Sequence, residues 1–270
     1  MKTLTAAAAV SLLALLASAC SLSTEDELTA DEESATVSSA LDTGMSASEL
    51  ENLTSADASL AARSLAAGET KDCKTRTLDA EKPNVVHVKL THCSGRFGRR
   101  VVDGDITVTF TANADGSLHA EHVSDSLTID GRPATRVVSA DITFTAEGRR
   151  VVRRATKTGT NARGHAFTRR SEEVVLVDRA SRCRTINGAG VANFESGRIV
   201  ESKITDLRLC EDAAGVDLCP TGVVAHSNAS ANKQVTQRFD GSSTAQVEIV
   251  RPKGNETRTW SLDCAPLAAQ

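Results

Sequence analysis

From Lys71 onward, apolar and polar positions alternate with a period of two. "DITVTFT" (Asp105–Thr111) puts Ile106, Val108 and Phe110 on one side and Thr107 and Thr109 on the other, as a strand with one buried face requires. "DITFT" (Asp141–Thr145) repeats the phrase. "VVHVKL" (Val85–Leu90), "EVVLV" (Glu173–Val177), "QVTQRF" (Gln234–Phe239), "AQVEIV" (Ala245–Val250) and "TWSLDC" (Thr259–Cys264) are further alternating or β-branched runs. Turn signals separate them: Lys82-Pro83-Asn84, Asp115-Gly116, Asp130-Gly131, Ser196-Gly197, Asp240-Gly241 and Lys253-Gly254. No amphipathic helix of useful length interrupts the series. The pattern predicts an all-β domain over 71–267, an antiparallel meander forming a strongly twisted sheet, a sandwich or a partly open barrel.

Ahead of that body the pattern changes. Ser46-Ala47-Ser48-Glu49 makes a capping box, and Leu50, Leu53, Leu60 and Leu65 follow among alanines, which predicts one N-terminal helix over 47–66. Residues 21–70 hold eleven acids and one base, Arg63, a net charge of −10, whereas residues 71–270 carry +5. An acidic, Ser/Ala/Thr-rich stretch without aromatic residues is expected to be a solvated tether over 20–46.

The first twenty residues predict export. Met1-Lys2 is followed by an apolar run from Ala6 to Leu16, shorter than the ~20 residues of a membrane-spanning helix. The features are those of a signal peptide over 1–19, and Ala17-Ser18-Ala19 fits an ordinary signal-peptidase cut. Leu16-Ala17-Ser18-Ala19-Cys20 also resembles the lipobox of bacterial lipoproteins, with Ala17 where Leu is commoner. The resemblance implies that Cys20 becomes the first mature residue and carries acyl chains such as palmitate. Ser21 in place of Asp implies sorting to the outer membrane of a Gram-negative cell.

Cysteine arithmetic agrees with that reading. Of seven cysteines, setting Cys20 aside leaves Cys73, Cys93, Cys183, Cys210, Cys219 and Cys264, an even number where oxidised pairs are expected. Cys73 and Cys93 are symmetric about Pro83 of a turn signal, and Cys183 and Cys210 about the Ser196-Gly197 turn. Residues equidistant from a hairpin turn face each other closely enough to bridge. The predicted bonds are Cys73–Cys93, Cys183–Cys210 and, by remainder, Cys219–Cys264. Cys210–Cys219 with Cys183–Cys264 is the rival for the last two.

Candidate chemistry is sparse. In His119-Ala120-Glu121-His122 the two histidines fall on opposite faces of a strand, so neither a metal nor another cofactor is expected. Arg149, Arg150, Arg153, Arg154, Arg169 and Arg170, with Lys157 and Arg163, form a basic hairpin. It reads first as a solvated outer face or a docking surface for the acidic tether and, as the alternative, as a surface for an anionic partner such as lipopolysaccharide phosphate or an acidic polymer. Nucleophile-elbow, zinc-protease and phosphate-loop motifs are missing from the sequence. With one Trp, six Phe and no Tyr, it has few rings for stacking nucleic acid or sugar.

The chain as a whole, through its lipobox, its Thr/Val-rich antiparallel body, Cys219-Pro220-Thr221-Gly222, "FDGSSTAQVEI" (Phe239–Ile249) and a closing Cys264, resembles uncharacterised Gram-negative envelope lipoproteins. That resemblance implies a lipid-anchored, non-enzymatic structural or binding protein, held in the membrane through Cys20, whose partner is an envelope protein or an anionic polymer. Two alternatives stand beside it. One is a lipid or lipoprotein carrier, which needs an uncovered apolar concave face. The other is an envelope hydrolase, which needs convergent carboxylates or a Ser/His pair.

Overall fold

A computed structural model describes residues 53, 55–68, 73–94, 101–160, 164–213, 216–262 and 264–266. The signal segment, Cys20, the acidic tether, the capping box at Ser46–Glu49 and Arg163 lie outside them. One helix, α1 (Ala58–Ala67), precedes thirteen strands: β1 (Lys74–Leu78), β2 (Val85–Ser94), β3 (Val101–Ala112), β4 (Leu118–Ile129), β5 (Arg132–Phe144), β6 (Gly148–Thr160), β7 (Ala166–Asp178), β8 (Cys183–Phe194), β9 (Ile199–Cys210), β10 (Thr221–Asn228), β11 (Lys233–Asp240), β12 (Thr244–Val250) and β13 (Glu256–Ser261). Each strand pairs with the next, so the order in space is the order in sequence. The all-β expectation with one helix holds, and the meander forms one continuous sheet that does not close into a barrel.

The sheet curls, and burial shows it. A flat layer touched by one ten-residue helix would leave most inward side chains in water, yet Val151, Val175, Val224 and Val247 are almost wholly buried. Register shifts on β2–β3, β3–β4, β4–β5, β8–β9 and β9–β10 supply the bends, since a bulged strand bends and twists more. At the β9–β10 shift Gly222 has φ +118°, and a Cβ there would collide with the Asp206 carbonyl. Only glycine serves both demands.

Helix α1 begins one residue after Asp57, whose carboxylate accepts from the Leu60 N–H at 2.9 Å. Residues 55–57 are non-helical, so this helix starts later than the position 47 expected from the capping box. An Asp at N-cap satisfies an otherwise orphaned donor, which fixes the start here. Ala61, Ala62 and Leu65 turn inward onto β1–β3, and Leu53 is buried in the same cluster. The Leu53 carbonyl accepts from Arg179 in the β7–β8 turn at 3.5 Å. The segment therefore crosses the concave face at the end defined by the β3–β4, β5–β6 and β7–β8 turns, called the lower end below.

Three cross-links fasten the sheet. Cys73–Cys93, Cys183–Cys210 and Cys219–Cys264 have Cα separations of 5.0, 4.1 and 5.0 Å. Cys183 and Cys210 are direct register partners on β8 and β9. Cys219–Cys264 ties the end of β13 to the segment before β10, beside the Leu218–Ala265 bridge.

Candidate functional site

Alternation along the β6–β7 hairpin divides the basic cluster. Arg149, Arg153 and Arg169 point inward and are buried, while Arg150, Arg154 and Arg170 point outward and are exposed. Even spacing along a strand decides this, because adjacent residues face opposite sides of a sheet. The six arginines thus do not form one patch. On the outer face Arg154 already meets Glu172 at 3.1 Å and Asp141 at 3.6 Å.

Inward residues fall into rows that run across the strands. The lowest continuous row, Phe144–Arg149–Val177–Arg184–Leu209, carries two buried arginines, and the row above it, Leu118–Ile142–Val151–Val175–Ile186–Leu207, is entirely apolar. The next, Ala140–Arg153–Glu173–Gly188–Ile204–Val224–Gln237, pairs charge with charge. Above it come His122–Val138–Ala155–Ser171–Gly190–Ser202–His226 and then Ser124–Arg136–Lys157–Arg169–Ala192–Val200. Asn228 and Lys233 pair at the corresponding level of β10 and β11. A final row of Leu127, Ala134, Gly159, Phe167 and Phe194 closes the upper end. A polar belt is therefore sandwiched between an apolar row and an aromatic upper rim. In that rim Phe167 and Phe194 lie 5.9 Å apart between centroids, with Lys157 over Phe167 and Arg198 over Phe194.

Within the belt the Arg153 guanidinium donates to the Glu173 carboxylate, both residues at most 2 % exposed. Gly188 makes room for that pair: a Cβ there would sit 2.6 Å from Glu173 Cγ and 2.6 Å from the Glu172 carbonyl oxygen. Arg169 Nη2 approaches the Ser202 hydroxyl at 3.4 Å, and that hydroxyl donates to the Gly190 carbonyl at 3.2 Å. Among the described residues, His226 has no hydrogen-bond partner on either ring nitrogen, and Gln237 has none on either amide atom. His122 Nε2 and Glu173 Oε1 are likewise unpartnered.

Burial and neighbouring cations keep both interior histidines neutral. Desolvation first, then Arg136 and Arg153, push His122 down to about 3; desolvation and then Arg169 do the same to His226. Arg169 itself is lowered, chiefly by burial.

Ser202 and His226 are register partners on adjacent strands, a pairing the hydrolase alternative would require. The serine proton is directed to Gly190, and a histidine this weakly basic is a poor acceptor for it. The carrier alternative needs an open apolar concavity. Leu53, Ala61, Ala62 and Leu65 occupy the apolar half of the concave face instead. His119 points outward to Asp141 at 2.7 Å while His122 points inward, so their motif is divided between faces. Among the described residues no three His, Cys, Asp or Glu side chains converge as a metal site would require. Outside, a shallow depression of about 500 Å³ is lined by Arg150, Leu176, Asp178, Thr185 and Arg208 among others. Its charges are mixed.

Glu173, Ser202, His226, Asn228, Lys233 and Gln237 were not candidates from the sequence. Phase could have found some of them. Lys233, Val235, Gln237 and Phe239 share one side of "KQVTQRF", and Val224, His226 and Asn228 one side of "VVAHSN". A polar residue in step with a buried apolar series is a signal in itself.

Compared with known protein families, curated proteins and solved structures, the chain matches none.

Proposed function

We propose that this chain is a lipid-anchored protein of the cell envelope with a non-enzymatic binding role, held at the outer membrane of a Gram-negative bacterium through Cys20. One observation carries the reading. Three disulfides take up Cys73, Cys93, Cys183, Cys210, Cys219 and Cys264, which is every cysteine except Cys20. Oxidised pairs of this kind persist outside the reducing cytosol, and the remaining thiol stands at the end of a short apolar run.

Surface chemistry supports an anchor rather than insertion of the sheet itself. Outward positions carry Lys89, Glu121, Arg150, Glu172, Glu201, Lys203 and Glu248. A membrane-crossing barrel turns an apolar band to lipid; this sheet turns charge to water. Acyl chains on Cys20 would hold a solvated domain at the membrane, more than one chain being needed for stable attachment. The partner is an envelope protein or an anionic polymer or ligand, and the interior belt is where hydrogen-bonding capacity is left over.

Metabolic labelling with palmitate, followed by fractionation, tests the anchor. The wild-type chain is expected to take label and sediment with membranes, and Cys20→Ala to do neither. Equal labelling of the two would overturn the reading.

A further inference from the structure

The chain enters the domain beside the depression on its outer face. Arg179, in the β7–β8 turn, donates from its guanidinium to the Leu53 carbonyl at 3.5 Å and from its backbone N–H to the Glu147 carbonyl at 3.4 Å. Glu147 stands at the edge of the depression, a space of about 500 Å³ whose lining includes Arg150, Leu176, Thr185 and Arg208. Those four are successive register partners on β6, β7, β8 and β9, and they face outward. Each lies two residues in from the lower end of its strand, a distance of about 7 Å. The backbone of Leu53 is therefore one arginine side chain away from the rim.

The surface inside that rim is half apolar and half basic. Leu176 is 50 % exposed, with Arg150 on one side of it in the row and Thr185 and Arg208 on the other. Covering it would remove apolar surface from water. Glu147 and Asp178 are the acids of the lining. Glu147 sits in the turn at the edge, and the Asp178 carboxylate accepts from the Ala180 N–H at 2.9 Å and the Ser181 hydroxyl at 2.6 Å. A segment suited to lie here carries an apolar residue with acids close to it.

Leu53 is preceded by such a segment. Residues 21–52 hold nine acids and no Lys or Arg. The stretch nearest the domain, Asp42 to Asn52, contains Asp42, Glu49 and Glu51 together with Met45 and Leu50. An extended chain advances ~3.4 Å per residue, so these eleven residues can cross the rim and run the width of the row. We infer that the outer depression on β6–β9 is the docking site of this chain's own acidic segment, residues 42–52, with Met45 or Leu50 covering Leu176 and the glutamates meeting Arg150 and Arg208. The inference goes beyond the binding role proposed above and does not depend on the anchor.

Cysteine cross-linking of the full-length chain is the test, in a Cys20→Ala background so that the added pair are the only thiols outside the three disulfides. Leu176→Cys is combined with Leu50→Cys or with Met45→Cys, oxidised, and read by peptide mapping and non-reducing gel mobility. A link within one chain is expected from at least one combination. Arg150→Glu with Arg208→Glu should slow it by about three- to tenfold, the contribution of two surface ion pairs, and adding Glu49→Arg with Glu51→Arg should restore it. All these positions on the sheet are at its outer surface, so the fold is retained. No link from either combination, or a rate indifferent to the charge reversal, overturns the docking. Links only between two chains also overturn it, assigning the depression to the segment of a second copy.

Discussion

The apolar row beside the helix and the polar belt above it share strands but solve burial in opposite ways. Below, Leu118, Ile142, Val151, Val175 and Ile186 meet Leu53 and the inner side of α1, with no polar side chain in their row. Above, at the same distance from solvent, Arg153, Glu173, His226 and Gln237 are buried. Burial of apolar surface stabilises the first roughly in proportion to area. The second gains little, because desolvation of charges and unsatisfied polar atoms offsets what their contacts return. Stability is therefore expected to come from the apolar row and the helix packed on it rather than from the belt.

That contrast can be broken by substitution. Phe110→Ala, fully buried beneath the helix side of the sheet, should lower unfolding free energy by about 3–5 kcal/mol in a urea titration. Glu173→Ala in the belt should come next, at about 3 kcal/mol or more, because it strands the Arg153 charge in the interior. The double variant Arg153→Met/Glu173→Leu should recover most of that loss. If the double variant were as unstable as the single one, the pair would be a net source of stability and the contrast would fail.

Mild acid, between pH 6.5 and 5, should act on the belt before the rest of the molecule. The interior histidines have folded pKa values of about 3, below the ordinary ~6.5 of an unfolded chain. Between those values the unfolded chain binds protons that the folded one refuses. Stability is thus fully present above pH ~6.5 and declines as pH falls toward 3, by about 1.4 kcal/mol per pH unit for each histidine in mid-window. Urea midpoints measured at pH 6.5 and 5 should show it, and His226→Gln should halve the slope. Asp79, held down at about 2 mainly by its bond to His87, begins to lose its contribution only as pH falls below the ordinary ~3.9 of an unfolded aspartate, under the two pH values compared.

Gln237→Leu should move stability the other way, raising it by about 1 kcal/mol as an orphaned amide is replaced by a well-packed side chain. The smallest effect belongs to Asp57→Ala, which removes the helix cap at the surface and should lower Tm less than any of the changes above.

Much of the fold was legible in the residues. Alternation located the strands, and the Ser196-Gly197 turn signal marked the centre about which Cys183 and Cys210 meet in register. The Cys73–Cys93 pair was found by the same symmetry although β1 and β2 align about a centre one residue earlier: Lys74 faces Leu90, and the β2–β3 register shifts before Cys93. The N-cap at Asp57 was not legible against the stronger capping-box signal at Ser46–Glu49, which lies outside the described residues. Nor was the site: reading the arginines of β6 and β7 as one surface cluster ignored that odd and even positions face opposite ways.

What the sequence alone determined is local, since period, turn chemistry and cysteine spacing act over a few residues or a single hairpin. It specified strands, their antiparallel succession and two of the cross-links, and set Cys20 apart from the other thiols. Which face turned inward, how far the sheet curled, and that Arg153, His226 and Gln237 from distant strands would share one buried belt were decided by tertiary structure. Curling brings rows from many strands together, and no spacing along the chain encodes that closure.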